Sequence, residues 1–241
     1  MIDDHCHLDF FNEKELEKIM KNSKNMLIVS NSVNLDSCKK NIEISKKYKN
    51  VKCAFGMYPE KLTLKKFNEF SKFVFNHRRR LFAMGEIGMD FLHKENPELQ
   101  EKIFRKQLDM ARKYKVPAII HTRKAEKEIL KILEEYKDLK LILHCFSGNF
   151  KLIKKAVELG CYFSIPTSIM RTEHFQKMVL EIPKKKILTE TDSPYLSPFI
   201  GEKNTPINIK ESLKKIAEIW KVNFEEVEKQ VEENFNLCFD K

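Results

Sequence analysis

Eight short apolar runs alternate with amphipathic segments along this chain, and that beat constrains its fold more than any other feature. The runs are MIDDHC at 1–6, MLIVSN at 26–31, VKCAFG at 51–56, LFAMGE at 81–86, VPAIIH at 116–121, KLILHC at 140–145, CYFSI at 161–165 and KILTETD at 186–192. Each has the length of a strand and is rich in β-forming residues. Between them, segments such as NEKELEKIMKN, LDSCKKNIEISKKY, PELQEKIFRKQLDMARKY and AEKEILKILEEY repeat apolar residues at three- and four-residue spacing, as helices do. Regular alternation of strand and helix implies right-handed βαβ units and a parallel sheet. Eight such units in 241 residues are the inventory of an α/β protein of the (β/α)8 TIM-barrel class, expected here as one domain over residues 1–241. A doubly wound open sheet is the competing architecture. It ordinarily has fewer strands and a glycine-rich first turn, whereas this chain has six glycines and no GxGxxG. After the eighth run, INIKESLKKIAEIWK and FEEVEKQVEENFNLCF are expected to be the closing helices.

A barrel presents its chemistry at the C-terminal ends of its strands. Those ends carry His5 and His7 on the first strand, Glu86 on the fourth, His121 on the fifth, His144 on the sixth and Asp192 on the eighth. Four of the seven histidines thus share one position type. His5 and His7 are two apart and project from the same strand face. Taken singly, each residue is better read as a satisfied core group or a cap. Six imidazoles and carboxylates converging on one rim would be costly without partners. Divalent cations remove that cost by ligation, and six groups exceed one tetrahedral set but suit two cations bridged by a carboxylate.

Neighbouring residues carry weaker readings. Asp3 shares parity with His5 and His7 and is expected to orient a ligand histidine. Glu190 shares parity with Asp192 and is read either in the same way or as half of a buried ion pair. Arg123, just past His121, would meet an anionic substrate or simply start a helix. Tyr58 and Tyr195, each beside a proline, sit on expected rim loops that would frame a substrate. His77, His93 and His174 fall in helix or loop patterns and are read as surface residues. Cys6 and Cys145 adjoin histidines on apparent strands and should therefore face away from them, packed outward.

The formal net charge of +10, from 45 Lys and Arg against 35 Asp and Glu, suits a polyanionic partner such as DNA. Much of the excess is lysine on periodic helices, where a solvated face is the ordinary reading. The run from His77 to Arg80 precedes an apolar strand, where a helix C-terminus favours cations. Six scattered cysteines without a CxxC pair are expected to be reduced thiols. No apolar stretch approaches membrane-spanning length and no basic-then-apolar leader pattern opens the chain, so a soluble, cytoplasmic protein without an obligate protein partner is expected.

The polar stretches resemble those of the TatD-like metal-dependent hydrolases. The matching segments are DDHCHLDF near the start, GEIGMDF at 85–91, PAIIHTRKA at 117–125, LHCFSG at 143–148 and TETDSPYL at 189–196, in the family's order across nearly the whole chain. The resemblance implies a (β/α)8 barrel, a two-metal site and a hydrolase usually described as a deoxyribonuclease. It also implies that His5, His7, Glu86 and Asp192 ligate one metal and that Glu86, His121 and His144 ligate the other, with Glu86 bridging. Asp192 would then serve as general base. The metals remain open among Mg2+, Mn2+ and Zn2+, because imidazoles favour transition metals and phosphodiester chemistry favours harder ions. The chain departs from the family where GMYP puts Tyr58 in place of a usual histidine. It departs again where KNTP puts Lys203 and Thr205 in a loop that usually reads RNEP, and where Asp4 replaces a common serine or threonine. These positions concern substrate contacts. The competing functions are an amidohydrolase-like enzyme acting on a small amide, ester or lactone, and a non-catalytic metal-binding or scaffold protein.

Overall fold

The computed structural model describes residues 1–92 and 96–239. Eight strands, β1 (Ile2–Cys6), β2 (Leu27–Asn31), β3 (Val51–Phe55), β4 (Leu81–Asp90), β5 (Ala118–Arg123), β6 (Leu141–His144), β7 (Tyr162–Pro166) and β8 (Ile187–Glu190), form one parallel sheet in sequence order. The sheet curls into a TIM barrel. Its seam is closed by backbone bonds from Asp192 N to His5 O at 2.9 Å and from His7 N to Ser193 O at 2.8 Å. The helices are α1 (Glu13–Asn22), α2 (Leu35–Lys47), α3 (Leu64–His77), α4 (Pro97–Tyr114), α5 (Glu126–Leu133), α6 (Phe150–Glu158), α7 (Glu173–Glu181), α8 (Ile209–Trp220) and α9 (Phe224–Phe239).

Local chemistry sets the helix starts. Asn12 and Glu15 form a reciprocal capping box at α1, and Asn34, Thr63, Asn96 and Asn149 accept from first-turn amides of α2, α3, α4 and α6. Pro97 opens α4 with its fixed φ, and Lys115 ends it in the left-handed region at φ 55°. The apolar stripes of these helices pack on the outward faces of the strands, around residues such as Phe55, Phe70, Ile103, Phe104, Leu130 and Phe163.

Inside the barrel, side chains fall into layers. The lowest holds Ile2, Val29, Ala54, Ala83, Ile119, Ile142, Tyr162 and Leu188, sealed from below by Phe235, Cys238 and Phe239 of α9. Above it the interior turns polar, with Asp4, Asn31, Ser164 and Glu190 buried. Two irregularities decide what stands higher still. β1 shifts register between Asp3 and Cys6, and β4 shifts between Met84 and Ile87. The first breaks the expected parity: Asp4, rather than Asp3, bonds Ser164 inside the barrel. Asp3 instead accepts from Thr191 N at 2.9 Å and Thr191 Oγ1 at 2.6 Å, tying β1 to the segment that bears Asp192. It therefore orients the loop and touches no imidazole of the rim through its carboxylate.

The β4 shift allows Gly85 and Glu86 both to address the interior. A methyl group at Gly85 would stand 2.7 Å from Asn31 Oδ1 and 2.8 Å from Ile119 Cβ, and one at Gly56 would collide with the Glu86 backbone. Glycine at these two positions lets three strands close in around Glu86. No helix among the described residues is long and apolar enough to cross a membrane.

Candidate metal centre

His5, His7, Glu86, His121, His144 and Asp192 all stand at the C-terminal end of the barrel. Five of them, with Arg123 and Tyr58, line a cavity of about 600 Å³; His5 lies just beneath, fully buried. His7 and Asp192 lie just past the ends of β1 and β8, and Asp192 adopts φ 53°.

Glu86 occupies the centre. Its Oε2 is 3.7 Å from His5 Nε2 and 3.5 Å from His7 Nε2, while Asp192 Oδ1 is 3.5 and 3.4 Å from the same two nitrogens. Donors about 2.1 Å from a tetrahedral cation stand about 3.4 Å from one another, and these four contacts have that spacing; His5, His7 and Asp192 offer donor atoms within 4.8 Å of one another, as do His5, Glu86 and His144. Glu86 Oε1 faces the other way, 2.9 Å from His121 Nδ1 and 3.2 Å from His144 Nε2, which are 3.5 Å apart. Both ring nitrogens of His5 are buried without a hydrogen-bond partner. Such orphaned atoms are costly unless something ligates them, so the residues present fit divalent cations.

The far nitrogens of the other rings are occupied. His7 Nδ1 is 3.0 Å from the Asn31 carbonyl, and a carbonyl only accepts, so Nδ1 carries the proton and Nε2 offers its lone pair. His144 Nδ1 is 3.3 Å from Glu190 Oε1. His121 Nε2 is 3.2 Å from Tyr58 Oη and 3.4 Å from Asp90 Oδ2. Each ring thus has its second nitrogen anchored and its first aimed at Glu86 or Asp192.

The carboxylates and imidazoles also shift one another's protons. Burial alone would raise Glu86, but His144 and His121 hold it well below the ordinary carboxylate range. Burial depresses His5 strongly, and the neighbouring imidazole of His144 adds to it. His7 resists its burial: the Asp192 hydrogen bond and Glu86 lift it to about 9. Burial drives Asp3 up to about 8, and burial with the nearby Glu190 raises Asp4.

Other residues of the sequence reading fall partly as expected. Cys6 packs outward with Leu8 and Ile28, as strand alternation requires. Cys145 follows the last residue of β6 and packs against the outer core as expected, while its left-handed backbone, at φ 44°, also brings it to the edge of the cavity. Tyr58 meets Asp90 and His121 with its hydroxyl. His77 and His174 are half-buried, bound to the Phe73 carbonyl at 2.9 Å and the Phe146 carbonyl at 3.4 Å. His93 lies outside the described residues. Asp90 joins the site unannounced by the apolar runs, because the fourth run ends at Glu86 whereas β4 continues to Asp90. The spacing of Glu86 and Asp90, four apart on a strand, is the signal that could have found it.

Comparison with known proteins follows the same lines. A family profile described as TatD related DNase matches residues 2–240. The chain is 34% identical over 238 residues to an uncharacterized metal-dependent hydrolase of Methanocaldococcus jannaschii, covering 97% of this chain and 94% of the relative. It is 30% identical over 262 residues to the human deoxyribonuclease TATDN3, covering 100% of this chain and 95% of that protein. In fold it is similar to YJJV, a TatD homolog from Escherichia coli K12, with a TM-score of 0.89 at 21% identity over 100% of this chain and 98% of the other.

Proposed function

The chain belongs to the TatD-related DNase family of metal-dependent hydrolases, and from that premise we propose that its rim cavity cleaves phosphodiester bonds of DNA around two divalent cations. The observation that carries this reading is the division of Glu86: one carboxylate oxygen faces His5 and His7, the other His121 and His144. His5 Nε2, His7 Nε2, Glu86 Oε2 and Asp192 Oδ1 would hold one cation, and Glu86 Oε1, His121 Nδ1 and His144 Nε2 the other. When bound, such ions supply Lewis acidity toward a phosphoryl oxygen.

The chain's own residues do the rest. Asp192 is the carboxylate an incoming water meets, with 14% of its side chain exposed against 4% for Glu86. It receives the proton of the attacking water at the carboxylate oxygen not given to the cation. Arg123 lines the cavity beside His121 and makes no ion pair with a described residue, so its guanidinium is available to a phosphate. The human relative that carries the name deoxyribonuclease supports the choice of DNA.

The test is hydrolysis by purified protein loaded with Mg2+, Mn2+ or Zn2+, assayed on single-stranded DNA, duplex DNA, RNA and a panel of small esters and lactones. Cleavage of DNA that disappears with chelation is the expected result. Turnover of small esters with every nucleic acid left intact would replace the nuclease reading with an amidohydrolase-like one.

A further inference from the structure

Tyr58, Asp90 and His121 form a closed polar triangle on the wall of the cavity. Tyr58 Oη is 2.8 Å from Asp90 Oδ2 and 3.2 Å from His121 Nε2, and His121 Nε2 is 3.4 Å from the same Asp90 oxygen. With Asp90 ionised, the three contacts fix the phenolic proton and the proton on Nε2, whatever Nδ1 carries. An ionised carboxylate accepts and never donates, so the phenolic proton points to Asp90. The phenol oxygen then turns its lone pairs to His121, whose Nε2 must carry a proton. Asp90 is kept in its accepting role by the Leu92 amide, which donates to its other oxygen at 2.9 Å.

The triangle is held in place from behind. Gln100 brackets the Asp90 backbone, accepting from Asp90 N at 2.8 Å and donating to Asp90 O at 2.9 Å. The Tyr58 amide donates to the Val33 carbonyl at 2.9 Å. The Tyr58 and His121 rings lie 4.7 Å apart between centroids, tilted by 59°, so the ring has little freedom to flip.

We propose that Tyr58 is a positioning residue: with Asp90 it commits a His121 proton to Nε2 and so leaves the Nδ1 lone pair for the cation that Glu86 Oε1 and His144 Nε2 would also hold. This rests on the reading that Glu86 Oε1, His121 Nδ1 and His144 Nε2 hold a cation. It assigns Tyr58 a task different from gripping substrate, because its one donated proton is already given to Asp90. Were His121 free to carry its proton on Nδ1, an N–H would face the place a cation takes, and that cation would bind more weakly. The other cation's shell, built on His5, His7 and Asp192, does not depend on this triangle.

The experiment uses the full chain in three forms: unaltered, Tyr58→Phe, which deletes one hydroxyl and keeps the ring, and Asp90→Asn. Calorimetric titration with Zn2+ and with Mn2+ reads the two affinities. Two-bond proton–nitrogen NMR of 15N-histidine-labelled, Zn2+-loaded protein, with His121 assigned by its loss in a His121→Asn sample, reads the tautomer directly. The expected result is an Nε2-protonated His121 in the unaltered chain. One of the two affinities should fall roughly tenfold in Tyr58→Phe and up to a hundredfold in Asp90→Asn, with the other unchanged. Circular dichroism reports whether each variant folds, and Tyr58→Phe alone suffices if Asp90→Asn does not. Unchanged affinities in both folded variants, or an Nδ1-protonated His121 in the unaltered protein, would overturn the assignment while leaving the two-cation site standing. An unaltered protein that binds a single cation, with His121 nonetheless Nε2-protonated, would overturn the site reading and this inference together.

Discussion

The two ends of the barrel are built from the same eight strands and obey opposite rules. At the floor, one apolar residue from each strand meets the stacked rings of Phe235 and Phe239, 4.1 Å apart, with Phe82 stacked on Phe239 at 5.1 Å. At the rim, four imidazoles and two carboxylates crowd together, and the contacts of His5 and His7 with Glu86 and Asp192, at 3.4 to 3.7 Å, suit ligation better than hydrogen bonding. The floor devotes its side chains to burying surface; the rim devotes them to polar contacts around one buried carboxylate. Stability and chemistry are thus separated along one axis about a strand's length apart.

Charge follows the same axis, though not as net charge alone suggests. The densest basic runs, Arg78–Arg80 and Lys184–Lys186, immediately precede β4 and β8, at the floor end. Helices in this fold run antiparallel to the strands, so their C-termini, which favour cations, gather there. The rim's own cations beside the cavity are fewer, Arg123 among them, and local guanidinium placement matters more there than the total of +10.

The contrast can be broken most severely at Glu86. Glu86→Ala removes the group both half-sites share, and hydrolysis should fall by about 10⁴-fold or more, roughly 5.5 kcal/mol; circular dichroism and the apo melting point should scarcely move, because the floor is untouched. Asp192→Asn keeps shape but loses basicity, and kcat should drop on the order of 10³-fold, about 4 kcal/mol. Near-normal turnover in that variant would remove Asp192 from the role of base. At the other end, Phe235→Ala should cost about 3 kcal/mol of stability and lower Tm by roughly 6–12 °C, while kcat/KM measured well below Tm stays within about twofold. A loss of activity matching the loss of stability would show that the two ends are not independent.

Smaller effects sharpen the picture. Saturating divalent cation at about 100 times its Kd should add about 2.7 kcal/mol to stability, and chelation should reverse it, as differential scanning calorimetry can measure. Equal stabilisation of the Glu86→Ala variant would place the binding elsewhere. Last, Arg123→Ala should reduce kcat/KM on DNA by about tenfold, roughly 1.4 kcal/mol, with cation stoichiometry unchanged.

The apolar beat is sufficient to read the strands, because each strand is bracketed by polar turns and buried on both faces. The six rim residues are legible for a related reason: an imidazole or carboxylate that ends an apolar run adds nothing to the packing beneath it and must find a partner at the strand's end. What alternation cannot show are the places where the backbone leaves it. The register shift in β1 puts Asp4 where strict parity would put Asp3, the left-handed backbone at Cys145 brings that residue to the cavity's edge, and the continuation of β4 brings Asp90 to His121. Each is decided by contacts between strands far apart in sequence, so no local pattern records it.

The stacked stopper of α9 also has a meaning in time. A chain emerging from synthesis as far as Trp220 holds all eight strands and all six rim residues, but not Phe235, Cys238 or Phe239. Until segment 221–239 docks, any barrel formed from those strands is open underneath, with Ile2, Ala83, Ile142 and Leu188 facing water from below. The last stretch of α9 is therefore the step that converts a tube into a vessel, and the window before it is when this chain most needs shelter from its neighbours.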